Sequence, residues 1–254
     1  MGNHALLADV DVAVIGGGIV GCAVARKLAL EGVTIVLLEK SADILAGASK
    51  GNSAILHTGF DVREDSLELE CVRNGYAEYL EIRKSLNLPL LETGALVAAW
   101  TEEEEERFSG IMEKAQNNGI DDLCLMSQTE TLAMEPNISG SLRSAISVPR
   151  EFVIDPWSAP LAYLSQAVSN GGQAIFNAEV TGGEFSGNHW LLESKRGTIR
   201  AQYVINCAGL YGDYLDTAVL GKSAFKIKPR KGQFVVRSLW KHLCSNQSGR
   251  SGGV

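Results

Sequence analysis

Three glycines near the start of the chain have the spacing of a phosphate-binding turn. Gly16, Gly18 and Gly21 follow a short apolar run and precede a stretch with alanine, valine and leucine at helical spacing. In such a turn the first glycine permits the bend, the second lets the backbone approach a pyrophosphate, and the third lets helix and strand pack closely. The following helix start offers free N–H groups and a positive dipole end to phosphate. The spacing predicts a dinucleotide site.

An acidic residue completes this pattern. Glu39 follows the second apolar run, residues 34–38. A carboxylate at that position can accept hydrogen bonds from ribose hydroxyls, and it disfavours the 2′-phosphate of NADP. The turn and the acid together indicate an adenine dinucleotide, but they do not separate FAD from NAD.

The elements that must position these residues form a strand–helix–strand unit. Residues 10–15 read as a β-branched strand, residues 22–32 as a helix with Gly32 as its carboxyl-terminal cap, and residues 34–38 as a buried strand. Further elements predicted along the chain are an amphipathic helix at 67–86, a strand at 94–100, a helix start at Thr101 with Glu104 in a capping box, a helix opening at Asp155-Pro156 with Pro156 in its first turn, a strand at 173–180 and a strand at 225–236.

The segment after Glu39 separates the two dinucleotides. An NAD dehydrogenase would begin another strand–helix unit here, whereas residues 46–60 read AGASKGNSAILHTGF, with small and polar side chains. Ser49, Asn52 and Ser53 offer donors and acceptors that could line the ribityl and pyrophosphate parts of a flavin. The segment therefore favours FAD.

At this point the chain resembles the FAD-dependent oxidoreductases of the D-amino-acid oxidase and glycerol-3-phosphate dehydrogenase superfamily. The resemblance is carried by the blocks VAVIGGGIVGCAVARKLA, LLEK, GASKGNSAILHTGFD, LAMEPNIS, FVIDPWSAPLAYLSQAVSNGGQAIFNAEVTG, YVINCAGLYGD and PRKGQFVV. Within the superfamily, NSAILHTGFD is most similar to the glycerol-3-phosphate oxidase/dehydrogenase and L-2-hydroxyglutarate dehydrogenase branch. The resemblance implies an α/β fold in which a Rossmann-type FAD-binding domain carries an inserted α+β substrate domain.

The resemblance also implies which residues contact FAD. Residues of the glycine turn would hold the pyrophosphate. Residues after the second strand would bind the adenosine ribose, and a polar segment would line the middle of the cofactor. Backbone at two later strand ends would contact adenine and approach the dinucleotide. The implied set is Gly16, Gly17, Gly18, Ile19, Gly21, Glu39, Lys40, Ser49, Asn52, Ser53, Val180, Ala208 and Gly209.

His57 is the candidate catalytic residue. The resemblance places its segment against the flavin ring, where an imidazole could accept a substrate hydroxyl proton during hydride transfer to flavin N5. An unperturbed pKa near ~6.5 suits a general base at neutral pH. The alternative is a histidine that only hydrogen-bonds the flavin or the backbone.

Two functions follow from the resemblance and stay open. One is hydride transfer from a small, anionic 2-hydroxy acid or glycerol 3-phosphate to flavin N5; amine oxidation would leave His57 without an evident role. The other is a non-catalytic product that retains at most FAD or adenosine binding. Arg230 and Lys231 could steer an anionic substrate or form a solvated strand-edge pair.

The expected domain boundaries are discontinuous. Residues 8–86 and 151–220 would form the FAD-binding domain, residues 87–150 and 221–237 a partial substrate domain, and residues 238–254 an irregular, Gly/Ser-rich tail. Members of the resembled family continue further, so the sequence predicts a product truncated in its carboxyl-terminal part, with an unpaired sheet edge.

Composition excludes other classes of function. A net charge of -7 disfavours nucleic acid or an anionic membrane as a general partner. Residues 12–25, the longest uncharged apolar stretch, are too few to span a bilayer, so no integral membrane segment is expected. Five scattered cysteines and four isolated histidines predict neither a disulfide scaffold nor a metal site. A cytoplasmic location is predicted, with mitochondrial or peripheral membrane association left open; the electron acceptor is not identified.

Overall fold

The computed structural model describes residues 5–232, which contain twelve strands and seven α-helices. The strands are β1 (Leu6–Ile15), β2 (Ile35–Leu38), β3 (Ile55–Leu56), β4 (Leu90–Leu91), β5 (Ala95–Ala99), β6 (Cys124–Ser127), β7 (Ser144–Val148), β8 (Phe152–Ile154), β9 (Gln173–Ile175), β10 (Val180–Phe185), β11 (Trp190–Ser194) and β12 (Gly197–Asn206). The helices are α1 (Ile19–Leu30), α2 (Leu67–Ile82), α3 (Glu102–Glu106), α4 (Phe108–Asn117), α5 (Gln128–Met134), α6 (Ser158–Ser169) and α7 (Gly212–Leu220).

A six-stranded sheet in the order β10-β11-β12-β1-β2-β9 carries the fold. β12, β1, β2 and β9 are parallel, and β10, β11 and β12 form an antiparallel meander at one edge. All four residues of β2 are buried, as expected for a strand covered on both faces. The chain therefore has the α/β class with a parallel sheet that the sequence predicts.

Two apolar layers cover this sheet. On one face Val12, Val14 and Leu37 pack with residues of α1 and α6. On the other face Val36 and Leu38 pack with residues of β11, β12 and α7. The alternation along β1 and β2 divides the apolar side chains between the two layers, which fixes the register of both strands.

Two small antiparallel sheets complete the described part. β3, β8 and β4 form one, and β5, β7 and β6 form the other. Residues of β5 and β7 pack with Phe108 and Ala115 of α4 in a separate apolar cluster. The division of the chain into an FAD-binding and a substrate domain stays a prediction.

The local signals near the glycine turn and at α3 are confirmed. The helix predicted at 22–32 begins three residues earlier, and Gly32 has the positive φ of +78° that suits a residue just after a helix. At α3 the Thr101 hydroxyl accepts a hydrogen bond from the Glu104 N–H, and the Glu104 carboxylate accepts one from the Thr101 N–H.

The single strand predicted at 173–180 is wrong. β9 lies at one edge of the sheet beside β2, whereas β10 lies at the other edge beside β11. The connecting residues cross the end of β2, where Asn177 and Ala178 donate backbone hydrogen bonds to Ser41 and Glu39 carbonyls. Asn177 makes the turn with a φ of +55°. Local β propensity could not show this crossing, which depends on the neighbouring strand.

Two other element predictions need correction. α6 begins at Ser158 rather than at Pro156, because the Asp155 carboxylate accepts hydrogen bonds from Trp157 and Ser158 and holds a turn before the helix; the helix's first turn contains Pro160 instead. Residues 225–232 form no strand: the Ile227 N–H donates to the Asp213 carboxylate at 3.1 Å, which docks the segment on the start of α7. Residues 233–237, the predicted tail 238–254 and Cys244 lie outside the described residues.

None of the helices within residues 5–232 combines the length and apolar character that crossing a bilayer requires.

Replacing Leu37 by alanine tests the packing of β2. Leu37 is fully buried, so Leu37→Ala should lower the free energy of unfolding by about 2–5 kcal/mol in urea titrations. Leu30→Ala is the matched control, because Leu30 is 43% exposed and its truncation should change that free energy by less than about 1 kcal/mol. Equal losses for the two variants would contradict the placement of β2 in the core.

Candidate cofactor site

A cavity of about 620 Å³ opens at the carboxyl ends of β1, β2 and β12. Its lining comes from the turn after β1, the segment after β2, residues 46–49, the start of β10, and the connection from β12 into α7. The carboxyl edge of a parallel sheet is where α/β proteins bind ligands. The volume is within the range of small-molecule and cofactor sites.

The glycine turn is built without room for side chains. Gly16 has a φ of +114°, and a Cβ there would lie 2.3 Å from the Cys207 carbonyl oxygen. A Cβ on Gly21 would lie 1.8 Å from the carbonyl oxygen of Gly16. Gly18 lines the cavity, and its Cβ would lie 3.0 Å from the Ser49 hydroxyl. The three glycines thus provide the turn, the backbone approach and the close packing that a pyrophosphate site needs.

The positive end of the α1 dipole faces this cavity. Gly18 is the N-cap and supplies no side-chain cap, and the first turn carries no acidic residue. The Ser49 hydroxyl accepts a hydrogen bond from the Ile19 N–H at 3.1 Å, so it holds the lining segment 46–49 against the helix start. An anion is favoured at this end of the helix.

Glu39 ties the turn to β2. Its carboxylate is buried; one oxygen accepts a hydrogen bond from the Gly17 N–H at 2.6 Å and the other accepts from the Ser41 N–H at 2.9 Å. A carboxylate oxygen can accept a second bond, so a ribose hydroxyl remains compatible with this arrangement. The tie to Gly17 was not predicted from the sequence.

Aromatic side chains also contribute to the lining of the cavity. The ammonium of Lys40 lies 3.3 Å from the centre of the Tyr211 ring, a cation–π contact between two lining residues. Tyr214 also lines the cavity. Sequence reasoning missed both tyrosines; the only signal was their place after the strand end at Ala208 and Gly209.

The structure brings most of the predicted cofactor residues together but not all of them. Gly17, Ile19 and Gly21 shape the turn behind the lining, whereas Asn52 and Ser53 lie outside the lining of this cavity. Asn52 instead bonds the backbone, donating to the Ser49 carbonyl and accepting from the Ala54 N–H, both at 2.7 Å. The lining residues from the predicted set are Gly16, Gly18, Glu39, Lys40, Ser49, Val180, Ala208 and Gly209.

The buried thiol of Cys22 and the half-buried thiol of Cys207 pack beneath the turn. Burial, with smaller contributions from Glu39 and Cys207, raises the pKa of Cys22 to about 12, and burial also raises the pKa of the Cys207 thiol. Both side chains are therefore neutral at physiological pH, and they act as apolar packing beside the glycines.

His57 lies after β3, outside the lining of the cavity. Its Nδ1 is 2.8 Å from a carboxylate oxygen of Glu151, and about half of its side chain is exposed. The hydrogen bond to Glu151 raises the pKa of His57 above its usual value, against the opposing effect of burial. Nε2 has no hydrogen-bond partner among residues 5–232.

Comparison with known proteins agrees with this geometry. The family model described as FAD dependent oxidoreductase (DAO) matches residues 11–251. A glycerol 3-phosphate dehydrogenase from Caloramator mitchellensis is 32% identical over 88% of this chain and 46% of its own length. The human mitochondrial L-2-hydroxyglutarate dehydrogenase is 29% identical over 89% of this chain and 51% of its own length. The chain thus spans about half the length of these curated relatives.

Solved structures of other oxidases share the fold. The L-alpha-glycerophosphate oxidase from Mycoplasma pneumoniae, solved with FAD bound, superposes with a TM-score of 0.77 at 25% identity, covering 84% of this chain and 57% of that chain. A glycine oxidase from Bacillus cereus superposes with a TM-score of 0.75 at 24% identity, which shows a shared fold alone.

Gly18→Ala tests whether the backbone at the turn receives the cofactor. Gly18 has a φ of −77°, so alanine fits the backbone, but its methyl group would crowd the Ser49 hydroxyl at the mouth of the turn. The same methyl group would hold the pyrophosphate away from the backbone N–H groups of the turn, and loss of one charge-assisted hydrogen bond should weaken FAD binding about tenfold or more in a fluorescence titration.

Gly110→Ala provides the control for this titration. Gly110 lies in α4, outside the lining of the cavity, and a Cβ there meets no atom within 4 Å, so affinity should change by less than about twofold. Unchanged affinity in Gly18→Ala would contradict a pyrophosphate at this turn.

Proposed function

Because the chain belongs to the DAO family of FAD-dependent oxidoreductases and FAD is its cofactor, we propose that it oxidises a small anionic donor with a CH–OH group. The proposed donors are glycerol 3-phosphate or a 2-hydroxy acid such as L-2-hydroxyglutarate. The names of two relatives support this choice. Both donors place a C–H bond and a hydroxyl on the carbon that is oxidised.

The turn and its neighbours hold the cofactor in this proposal. Backbone N–H groups of the glycine turn and of the first turn of α1 bind the pyrophosphate, and Glu39 accepts hydrogen bonds from the adenosine ribose. Val180, Ala208 and Gly209 let the main chain approach the adenosine half. When bound, FAD supplies a two-electron acceptor that takes a hydride from the donor carbon.

The proposed chemistry depends on how the two ring nitrogens of His57 are hydrogen-bonded. Its Nδ1 is engaged by Glu151, while Nε2 has no partner in the described part of the chain. In the reaction Nε2 accepts the proton of the donor hydroxyl while the hydride leaves the same carbon, so the C–O bond becomes a carbonyl. Such general-base assistance contributes about 10²–10⁴-fold to rate.

The second candidate function is cofactor binding without turnover. It is favoured by the position of His57, which lies outside the lining of the cavity at the glycine turn. Arg230 and Lys231 are exposed, and their steering of an anionic substrate stays a prediction, as does the cytoplasmic location; the human relative is named as mitochondrial.

Anaerobic reduction distinguishes the two candidates. The FAD-loaded chain, mixed with glycerol 3-phosphate or L-2-hydroxyglutarate without oxygen, should lose its flavin absorption near 450 nm as the donor is oxidised. A flavin that stays oxidised with both donors, yet bleaches with dithionite, would leave binding without turnover as the function.

Replacement of His57 tests its role as the base. His57→Gln should slow the substrate-driven bleaching by about 10²-fold or more and leave FAD binding intact. His189→Gln is the matched control, because His189 lies on the exposed hairpin between β10 and β11, and its replacement should leave the rate unchanged. Equal rates for the two variants would remove His57 from the chemistry.

The pH dependence of the same reaction gives an independent test. A base must be unprotonated, so the bleaching rate should rise with pH through the pKa of His57, and the raised pKa places the midpoint above that of free imidazole. The midpoint is read from stopped-flow rates across a pH series. His57→Gln should remove this step from the profile; a step that persists in the variant belongs to another group.

A further inference from the structure

A buried carboxylate lies opposite His57 just beyond the paired residues of β3 and β8. The two strands are antiparallel, with Ile55 paired to Val153 and Leu56 paired to Phe152. The same register extended by one residue places His57 opposite Glu151. Sequence reasoning identified the histidine but not its partner, because the two are brought together only by this pairing.

Glu151 is fully engaged by its surroundings. Its side chain is only 2% exposed. One carboxylate oxygen accepts hydrogen bonds from the Thr58 N–H at 2.6 Å and the Thr58 hydroxyl at 2.8 Å. The other oxygen faces His57 Nδ1 at 2.8 Å. Because Thr58 occupies the first oxygen, the second has a fixed direction toward the ring.

The backbone that carries Glu151 is also held in place. The preceding residue, Arg150, makes a two-pronged contact with Asp122 through Nε at 2.6 Å and Nη2 at 2.9 Å. The Tyr76 hydroxyl donates to the Arg150 carbonyl at 3.0 Å, and its ring packs against Phe152. The residues on both sides of Glu151 in the sequence are therefore held by contacts, so the position of the carboxylate does not depend on a flexible loop.

Ionisation of Glu151 is consistent with this geometry. Burial alone favours the neutral acid, but the hydrogen bonds from His57 and Thr58 outweigh it and hold the pKa of Glu151 below its usual value. An ionised carboxylate accepts hydrogen bonds and donates none, so the proton between the two side chains must belong to His57 Nδ1. The neutral imidazole then carries its lone pair on Nε2.

We propose that Glu151 is the positioning residue for His57: it fixes the Nδ1–H form of the imidazole, so that Nε2 faces outward as the proton acceptor. The proposal rests on the assignment of His57 as the base in the proposed function. The charged groups that face the ring are Glu151 and, at longer range, Asp61. Of these only Glu151 is hydrogen-bonded to the ring.

Replacing Glu151 by glutamine should move the proton of the neutral His57 imidazole from Nδ1 to Nε2. In Glu151→Gln the amide oxygen must stay toward the two Thr58 donors, which leaves the amide NH₂ facing His57. That group donates to Nδ1, so the ring proton moves to Nε2 and blocks the base. The substitution keeps the size of the side chain, and cooperative urea unfolding checks that the variant folds.

Nitrogen-15 NMR measures directly which ring nitrogen of His57 carries the proton. The experiment uses the full 254-residue chain without FAD or substrate. The His57 signals are assigned by their loss in His57→Gln. The unsubstituted chain should show neutral His57 protonated at Nδ1, and Glu151→Gln should show it protonated at Nε2, with the raised titration midpoint lost. Glu105→Gln, which removes a carboxylate from an Arg143 and Ser144 contact elsewhere, should leave His57 unchanged.

The outcomes distinguish the role of Glu151 from the proposed function of the chain. Neutral His57 protonated at Nε2 in the unsubstituted chain would overturn the role of Glu151, and this result does not depend on whether any variant folds. An unchanged ring form in folded Glu151→Gln would overturn it too. In the loaded chain, Glu151→Gln should slow substrate-driven bleaching about tenfold to a hundredfold. If no donor bleaches the flavin while the predicted ring form is present, the proposed function fails and the ring geometry stands.

Discussion

The carboxyl ends of β1 and β12 approach so closely at Gly16 that no side chain fits between them. A Cβ on Gly16 would overlap the Cys207 carbonyl, and a Cβ on Gly21 would overlap the Gly16 carbonyl. Gly16 also adopts a φ of +114°, which side chains disfavour. Because this contact brings backbone rather than side chains to the edge of the sheet, the cavity can offer main-chain N–H groups to a phosphate. The direction of α1 follows from the same turn.

The other walls of the cavity depend on the end of β2. The Glu39 side chain holds Gly17 and Ser41 through their N–H groups, and its carbonyl accepts from Ala178 where the chain crosses toward β10. One buried residue thus fixes the turn, the segment after β2 and the approach to Val180. This explains why an acid whose expected role was to bind ribose also matters to the shape of the site before any cofactor binds.

The sequence predicts those parts of the structure whose signals come from residues close together in the chain. Glycine spacing, the apolar runs of β1 and β2, the position of Glu39 directly after β2 and the capping box at Thr101 can each be recognised within a short segment of the sequence. The division of residues 173–180 between two sheet edges was missed, because strand propensity is indifferent to which neighbour a strand pairs with. Glu151 and Tyr211 were missed for a related reason: each reaches its partner, His57 or Lys40, through long-range contact.

Gel filtration of the chain after incubation with excess FAD tests whether this cavity holds FAD by its adenosine diphosphate half. We expect flavin absorption bands that co-elute with the protein at about one FAD per chain. ADP added beforehand should prevent FAD from binding, and riboflavin should not, because the residues of the cavity are placed to hold the pyrophosphate and the adenosine rather than the flavin ring. A colourless protein peak, or FAD binding that riboflavin prevents and ADP does not, would contradict the placement of FAD in this cavity.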